Sequence, residues 1–189
     1  MKLTTRSVLF TLFLIAVATV TKIICAPNLN LSGFSPIIAI ALFSGMIVKD
    51  KNASFLLPLL ALFASDMIIQ VLYKAGLFAF AGFYKYQLVN YVLILVTTLL
   101  GWAIQGKKLG SVLLGAVSGA TLFFILSNFS VWFFGPHLTY SYDAKGLMAC
   151  YVAGLPFYAR ALTATVIFLP LIIASYNYIV KAQQRLTLA

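Results

Sequence analysis

Acidic residues are nearly missing from this 189-residue chain: Asp50, Asp66 and Asp143 stand against thirteen Lys and Arg. Charged residues make up 8% of the sequence, where a soluble domain carries roughly 25%. So few cannot supply a polar skin, which excludes a soluble enzyme, and the apolar share of 63% excludes a disordered tail. Cysteine is scarce as well. Cys25 and Cys150 are too few for a disulfide framework, and with His137 as the lone histidine no metal-ligand spacing arises. HExxH, GxSxG and phosphate-loop patterns are all lacking, as is any nucleophile with a matched base. These absences point to a protein that is not an enzyme, needs no cofactor and hydrolyses no ATP by a standard mechanism.

What the chain has instead is long apolar runs, and its mean hydropathy is +1.05. Lipid is the solvent such a composition needs. The net charge of +10 would suggest nucleic acid in a soluble protein. Here the basic residues fall singly and in pairs between apolar runs, with no patch that mixes them with exposed aromatics. Nucleic acid is therefore not an expected partner. Juxtamembrane Lys and Arg that set topology and attract anionic lipid are.

A helix needs about 20 apolar residues to cross the hydrocarbon. Six runs qualify or nearly so, at about 7–24, 34–48, 53–73, 87–104, 109–130 and 160–180. They are apolar all round rather than alternating, which argues against a barrel. The expectation is an all-α membrane protein, one integral domain over 1–189 with six transmembrane helices. The start resembles a signal peptide, but Ile24 stands where a lipoprotein site wants a small residue, and the run is long for an h-region. A retained first helix is expected. With the N-terminus inside, Lys2, Arg6, Lys49, Lys51, Lys107, Lys108, Lys181 and Arg185 crowd the inner helix ends. Lys22, Lys74, Lys85, Lys145 and Arg160 fall outside, so the positive-inside rule places both termini in the cytoplasm. Inner links are tight and outer ones long. Between the fifth and sixth spans lies an aromatic outer loop with Trp132, Phe133, Phe134, His137, Tyr140, Tyr142 and Tyr151. Gly146–Tyr158 within it reads as a short interfacial or re-entrant helix, with Pro156 at the start of the sixth span and Pro170 at a kink.

In lipid the informative side chains are the polar ones. Ser35, Asp66, Gln70, Asn90 and Asn128 all fall in the outer half of their spans, above an inner half of Leu, Ile, Val, Phe, Ala and Gly. A carboxylate near a helix centre costs about 2.5–3.5 kcal/mol on insertion scales, so Asp66 implies a partner or a watery cavity. Gln70 shares its helix face. Two readings stand side by side: a ligand, cation or proton site, or an interhelical clamp to Asn90 or Lys74. Asn128 and Trp132 repeat the four-residue spacing, and with Tyr140 and Tyr151 they form either a lid over a planar solute or an aromatic belt at the headgroups. Ser111-x-x-x-Gly115-x-x-x-Gly119 and Ala41-x-x-x-Gly45 are stripes at which two helix backbones can approach closely, within the molecule or against a partner.

Phe34-Ser35-Pro36-Ile37-Ile38-Ala39-Ile40-Ala41-Leu42-Phe43-Ser44-Gly45, the stretch from Pro58 to Asp66, Ser127-Asn128-Phe129-Ser130-Val131-Trp132 and Gly146–Phe157 together resemble a family of small bacterial inner-membrane proteins with no settled activity. More distantly, the layout is similar to the substrate-binding (S) components of energy-coupling-factor transporters. That resemblance implies six helices, both termini inside, and capture of a vitamin-like or cofactor-precursor solute in an outward pocket. It also implies an energising membrane subunit and ATPase as partners. An Ala-x-x-x-Ala stripe on the first helix serves docking in S components, whereas Ala16 and Ala18 lack that spacing. The expected function is solute uptake across the bacterial inner membrane, with substrate-binding candidates Ser35, Asp66, Gln70, Asn90, Asn128, Trp132, Tyr140 and Tyr151. The alternative is a structural membrane subunit that packs with a partner.

Overall fold

The computed structural model describes residues 5–106, 108–135 and 139–181. Lys2, Lys107, His137 and Arg185, used above, lie outside them. The described residues form six α-helices and no strand: α1 Thr5–Cys25, α2 Ile37–Ile47, α3 Lys51–Lys74, α4 Gln87–Ile104, α5 Leu109–Phe134 and α6 Ala144–Tyr176, the last continued by a π-helical turn, Asn177–Lys181. All except α2 are long and apolar enough to cross a membrane. The molecule has the architecture of a multi-pass membrane protein.

α2 is the hub. All of its residues are buried, and it packs on α3, α4, α5 and α6. Its 11 residues span about 16 Å, less than the 34–48 run suggests. The chain extends beyond it at Gly33–Pro36 and Val48–Lys49. An element shielded from lipid on every side can be shorter than the bilayer, because its neighbours, not lipid, meet its ends. Glycine makes this close packing possible. A Cβ on Gly45 would strike the Thr98 carbonyl and come 2.9 Å from Gly101 Cα on α4. On α5, Gly115 faces Met46 and Gly119 faces Leu42. Both small-residue stripes thus serve packing inside the molecule.

Helices alternate in direction, giving the bundle two ends. At one, Trp102 Nε1 donates to Ser54 Oγ at 3.1 Å, and the rings of Phe10, Phe43 and Tyr176 meet at 5.2–5.4 Å. At the other lie the C-terminal halves of α1, α3 and α5 and the first turns of α4 and α6. Asp50 caps α3 by accepting from Ala53 N at 2.8 Å. Asp143 caps α6 by accepting from Gly146 N at 2.7 Å. These backbone N–H groups hold both carboxyls below the ordinary carboxylate range.

The sixth helix corrects one expectation. Gly146–Tyr158 is not a separate interfacial helix. It is the first half of α6, which runs unbroken for 33 residues, about 50 Å. Pro156 sits in its interior rather than at its start. Proline forfeits one backbone bond there, and α5 supplies the lateral support that a lone helix would lack. The Tyr151 hydroxyl donates to Ile125 O at 2.9 Å, Tyr158 bonds Thr121 at 2.9 Å, and Gly154 lies directly on Asn128. The aromatic connection between α5 and α6 is accordingly confined to 135–143.

Candidate functional site

Asp66 is the centre of the polar end. Its carboxylate pairs with the Lys22 ammonium of α1, accepts from Gln87 Nε2 of α4, and accepts from the Tyr91 hydroxyl at 2.9 Å. Lys22 also donates to Ser65 Oγ at 2.9 Å, and Ser65 donates in turn to Leu62 O at 2.7 Å. Three helices are thus tied together by one carboxylate. A carboxylate in this setting is tolerated only when paired and hydrogen-bonded, and Asp66 is both. Asp66 does bridge helices, through Lys22, Gln87 and Tyr91 rather than Asn90 or Lys74.

The cluster is not packed solid. It forms part of the wall of a cleft of about 600 Å³ that opens at the same end. Ser35 and Asn90 line that cleft too, so three of the residues singled out in the sequence, Ser35, Asp66 and Asn90, face one space. Most of the remaining wall is apolar, with Phe78, Phe80, Tyr84, Phe123 and Phe157 as its rings.

Two connections roof the cleft. The segment 75–86 folds back over α3. Gly82 rests so closely on the Asp66 carbonyl and Gln70 N that a Cβ there would collide with both. Gln70 Oε1 accepts from Phe83 N at 3.1 Å, which fastens the roof. Gln70 therefore positions the connection rather than facing the cleft. Asn90 donates to the Tyr84 hydroxyl. Burial, and after it the Asp66 charge, push the Tyr84 phenol above its ordinary value. The second connection, 26–36, is strapped to α6 by Arg160, whose Nη1 donates to Leu29 O at 2.8 Å and Ser32 O at 2.9 Å. Gly33 holds φ +93°, which side-chain-bearing residues rarely adopt, and a Cβ there would come within 3.3 Å of the Phe157 carbonyl oxygen.

The other candidates lie apart. Asn128 lines an adjoining cavity of about 210 Å³ that shares Gly33, Ser35 and Phe157 with the main cleft. Its amide donates to Phe124 O at 2.9 Å. Trp132 donates to Ser141 O at 3.0 Å and stacks on Tyr142 at 4.6 Å, so it is engaged at the end of α5. Tyr151 is spent on α5. Tyr140 is half-buried in the 135–143 connection and lines neither cavity. The roof rings are Phe78, Phe80 and Tyr84, not the aromatics after Asn128.

Lys22 and Gln87 escaped the sequence reading. Lys22 looks juxtamembrane because it stands one turn from the end of α1. α1 packs on α3, and that pairing brings Lys22 to Asp66.

These features define a class, a helical multi-pass membrane protein with a polar-anchored cleft at one end. The chain belongs to the DUF6580 family, a family of unknown function whose model matches residues 2–187. No curated protein and no solved structure matches it. Among the described residues, no group of His, Cys, Asp and Glu could hold a metal ion.

Proposed function

We propose that this protein captures a small organic solute in the cleft between α1, α3 and α4 for uptake across the bacterial inner membrane, in the manner of an S component. In this reading the chain crosses six times with both termini in the cytoplasm. α2 serves as the sheltered crossing, since Ser35 lies by the cleft and Lys49 at the opposite end. The cleft faces outward, and energy comes from a separate membrane subunit and ATPase.

The observation that carries this reading is the exposure of the Lys22–Asp66 pair to a cleft of about 600 Å³. A purely structural clamp has no need of adjacent space. The volume falls within the roughly 300–1,000 Å³ of small-molecule sites, and a mostly apolar wall with few polar groups is their usual composition. A structural subunit is the second reading. It would need a surface other than the Gly115 and Gly119 stripe, which α2 occupies.

The test is thermal unfolding of the purified protein in lipid nanodiscs against a panel of vitamin-sized solutes. At least one solute is expected to raise the midpoint, by mass action on the folded state. The shift should vanish in Ala81→Trp, which fills the cleft from its roof. A panel with no stabilising solute, or an undiminished shift in Ala81→Trp, overturns the proposal.

A further inference from the structure

The charges and donors left over in the cleft specify what it takes. Asp66 is the more buried member of the pair, its side chain 6% exposed against 22% for Lys22. Its oxygens already accept from Lys22, Gln87 and Tyr91. The ammonium of Lys22 has three N–H groups. Ser65 and Asp66 take two of them, so one remains for an occupant.

The Asn90–Tyr84 pair adds to the surplus. Asn90 bonds the Tyr84 hydroxyl, and whichever way the amide is turned, an N–H or the phenolic O–H is left over. The Ser35 oxygen accepts weakly from Ile37 N, at 3.4 Å, and its proton is likewise unspent. Lys22, the Asn90–Tyr84 pair and Ser35 thus leave donors open to an occupant that brings acceptors.

An anion would also match the donors, but the charge count opposes it. Among the described residues, Lys22 and Asp66 are the only charged ones lining the cleft, and they cancel each other. Arg160 is engaged by the strap. A bound carboxylate would share one ammonium with Asp66 and leave a net negative charge in a largely apolar space, which is costly. A neutral carbonyl or ring nitrogen takes the same N–H without that cost. The rings of Phe78, Phe80 and Phe123 line the cleft, and aromatic side chains pair favourably with an aromatic body, stacked or edge-on.

We infer that the cleft selects an uncharged, planar, acceptor-rich aromatic solute, held through its carbonyl or ring-nitrogen acceptors by Lys22 and the Tyr84–Asn90 pair. The inference rests on the solute-capture reading and names its substrate class.

Matched pairs of probes test it, each a bicyclic or tricyclic aromatic carboxamide and the carboxylate of the same ring, beginning with 2-naphthamide and 2-naphthoate. Binding is read by thermal stabilisation in nanodiscs. The carboxamides are expected to bind about tenfold or more tighter than the carboxylates. Asp66→Asn keeps a hydrogen-bonding group but frees the Lys22 charge, and in it the preference is expected to reverse. Tyr84→Phe, at the roof and outside the ion pair, is expected to weaken the carboxamides about fivefold without reversing the preference. If Asp66→Asn fails to fold, the wild-type preference and Tyr84→Phe still decide. Carboxylates binding as well as or better than carboxamides in the wild type overturn the inference while the solute-capture reading stands. Silence of both probe arms overturns the inference, and silence of the wider vitamin panel as well overturns the solute-capture reading with it.

Discussion

Asp66→Ala is expected to destabilise the folded bundle by about 3 kcal/mol, the low end of what removing one partner of a buried ion pair costs. The low end applies because the Lys22 side chain keeps 22% of its exposure and can draw on water in the cleft. The loss comes less from the missing attraction than from what is left behind. Lys22 retains only Ser65 as a partner, while Gln87 Nε2 and the Tyr91 hydroxyl lose their carboxylate acceptor. Removing both charges is expected to be milder. The double variant Lys22→Met, Asp66→Leu should recover at least half of the loss, since replacing a buried pair with apolar side chains is often neutral. Reversible unfolding in mixed micelles measures both. A double variant as damaged as Asp66→Ala would show that the residues act by shape rather than by charge.

Gly45→Ala is expected to cost about 3 kcal/mol or more, the upper end for an overpacked core. One added methyl would meet backbone, not the pliable end of a side chain: the Thr98 carbonyl, Gly101 Cα and Trp102 N all crowd the position. α2 has no room to retreat, because all of its residues are buried among α3, α4, α5 and α6. In lipid, close approach of this kind replaces the hydrophobic effect as the source of helix association, so losing it is felt fully. Gly110→Ala is the control. A Cβ there meets nothing within 4 Å, and stability should hardly change. The same unfolding assay on both variants checks the claim. Equal behaviour of the two would mean that α2 and α4 are packed less tightly than described.

Helix number and placement were legible because the solvent sets them. α3, α4 and α5 follow runs of apolar residues long enough to cross hydrocarbon, and their bounds lie within a few residues of the expected ones. Pro156 was misleading for a specific reason. In water a proline interior to a helix is a strong stop, whereas a neighbouring helix in lipid carries the segment past it. The gathering of Ser35, Asp66 and Asn90 was legible from their common height alone. Which way each side chain turns was not, because azimuth depends on packing. Gln70 stands at the right height and is spent on Phe83 N, while Asn128 turns to the adjoining cavity with its amide on Phe124 O. The partner of Asp66 was hidden for the complementary reason. A lysine one turn from a helix end reads as an anchor to the headgroups, and only the parallel pairing of α1 with α3 brings it inward to a carboxylate.

Uptake, as proposed, needs the cleft to open to the outside of the cell, and thiol accessibility measures that directly. Cys25 and Cys150 are buried, and replacing both with Ala gives a clean background. Ala26 lines the mouth of the cleft and is exposed, while Asn52 is exposed at the other end of the bundle. In intact cells a membrane-impermeant maleimide is expected to label Ala26→Cys promptly, more slowly in the presence of a stabilising solute. Asn52→Cys is expected to react only after the membrane is opened. Labelling in the reverse order would put the cleft on the cytoplasmic side and contradict uptake through it.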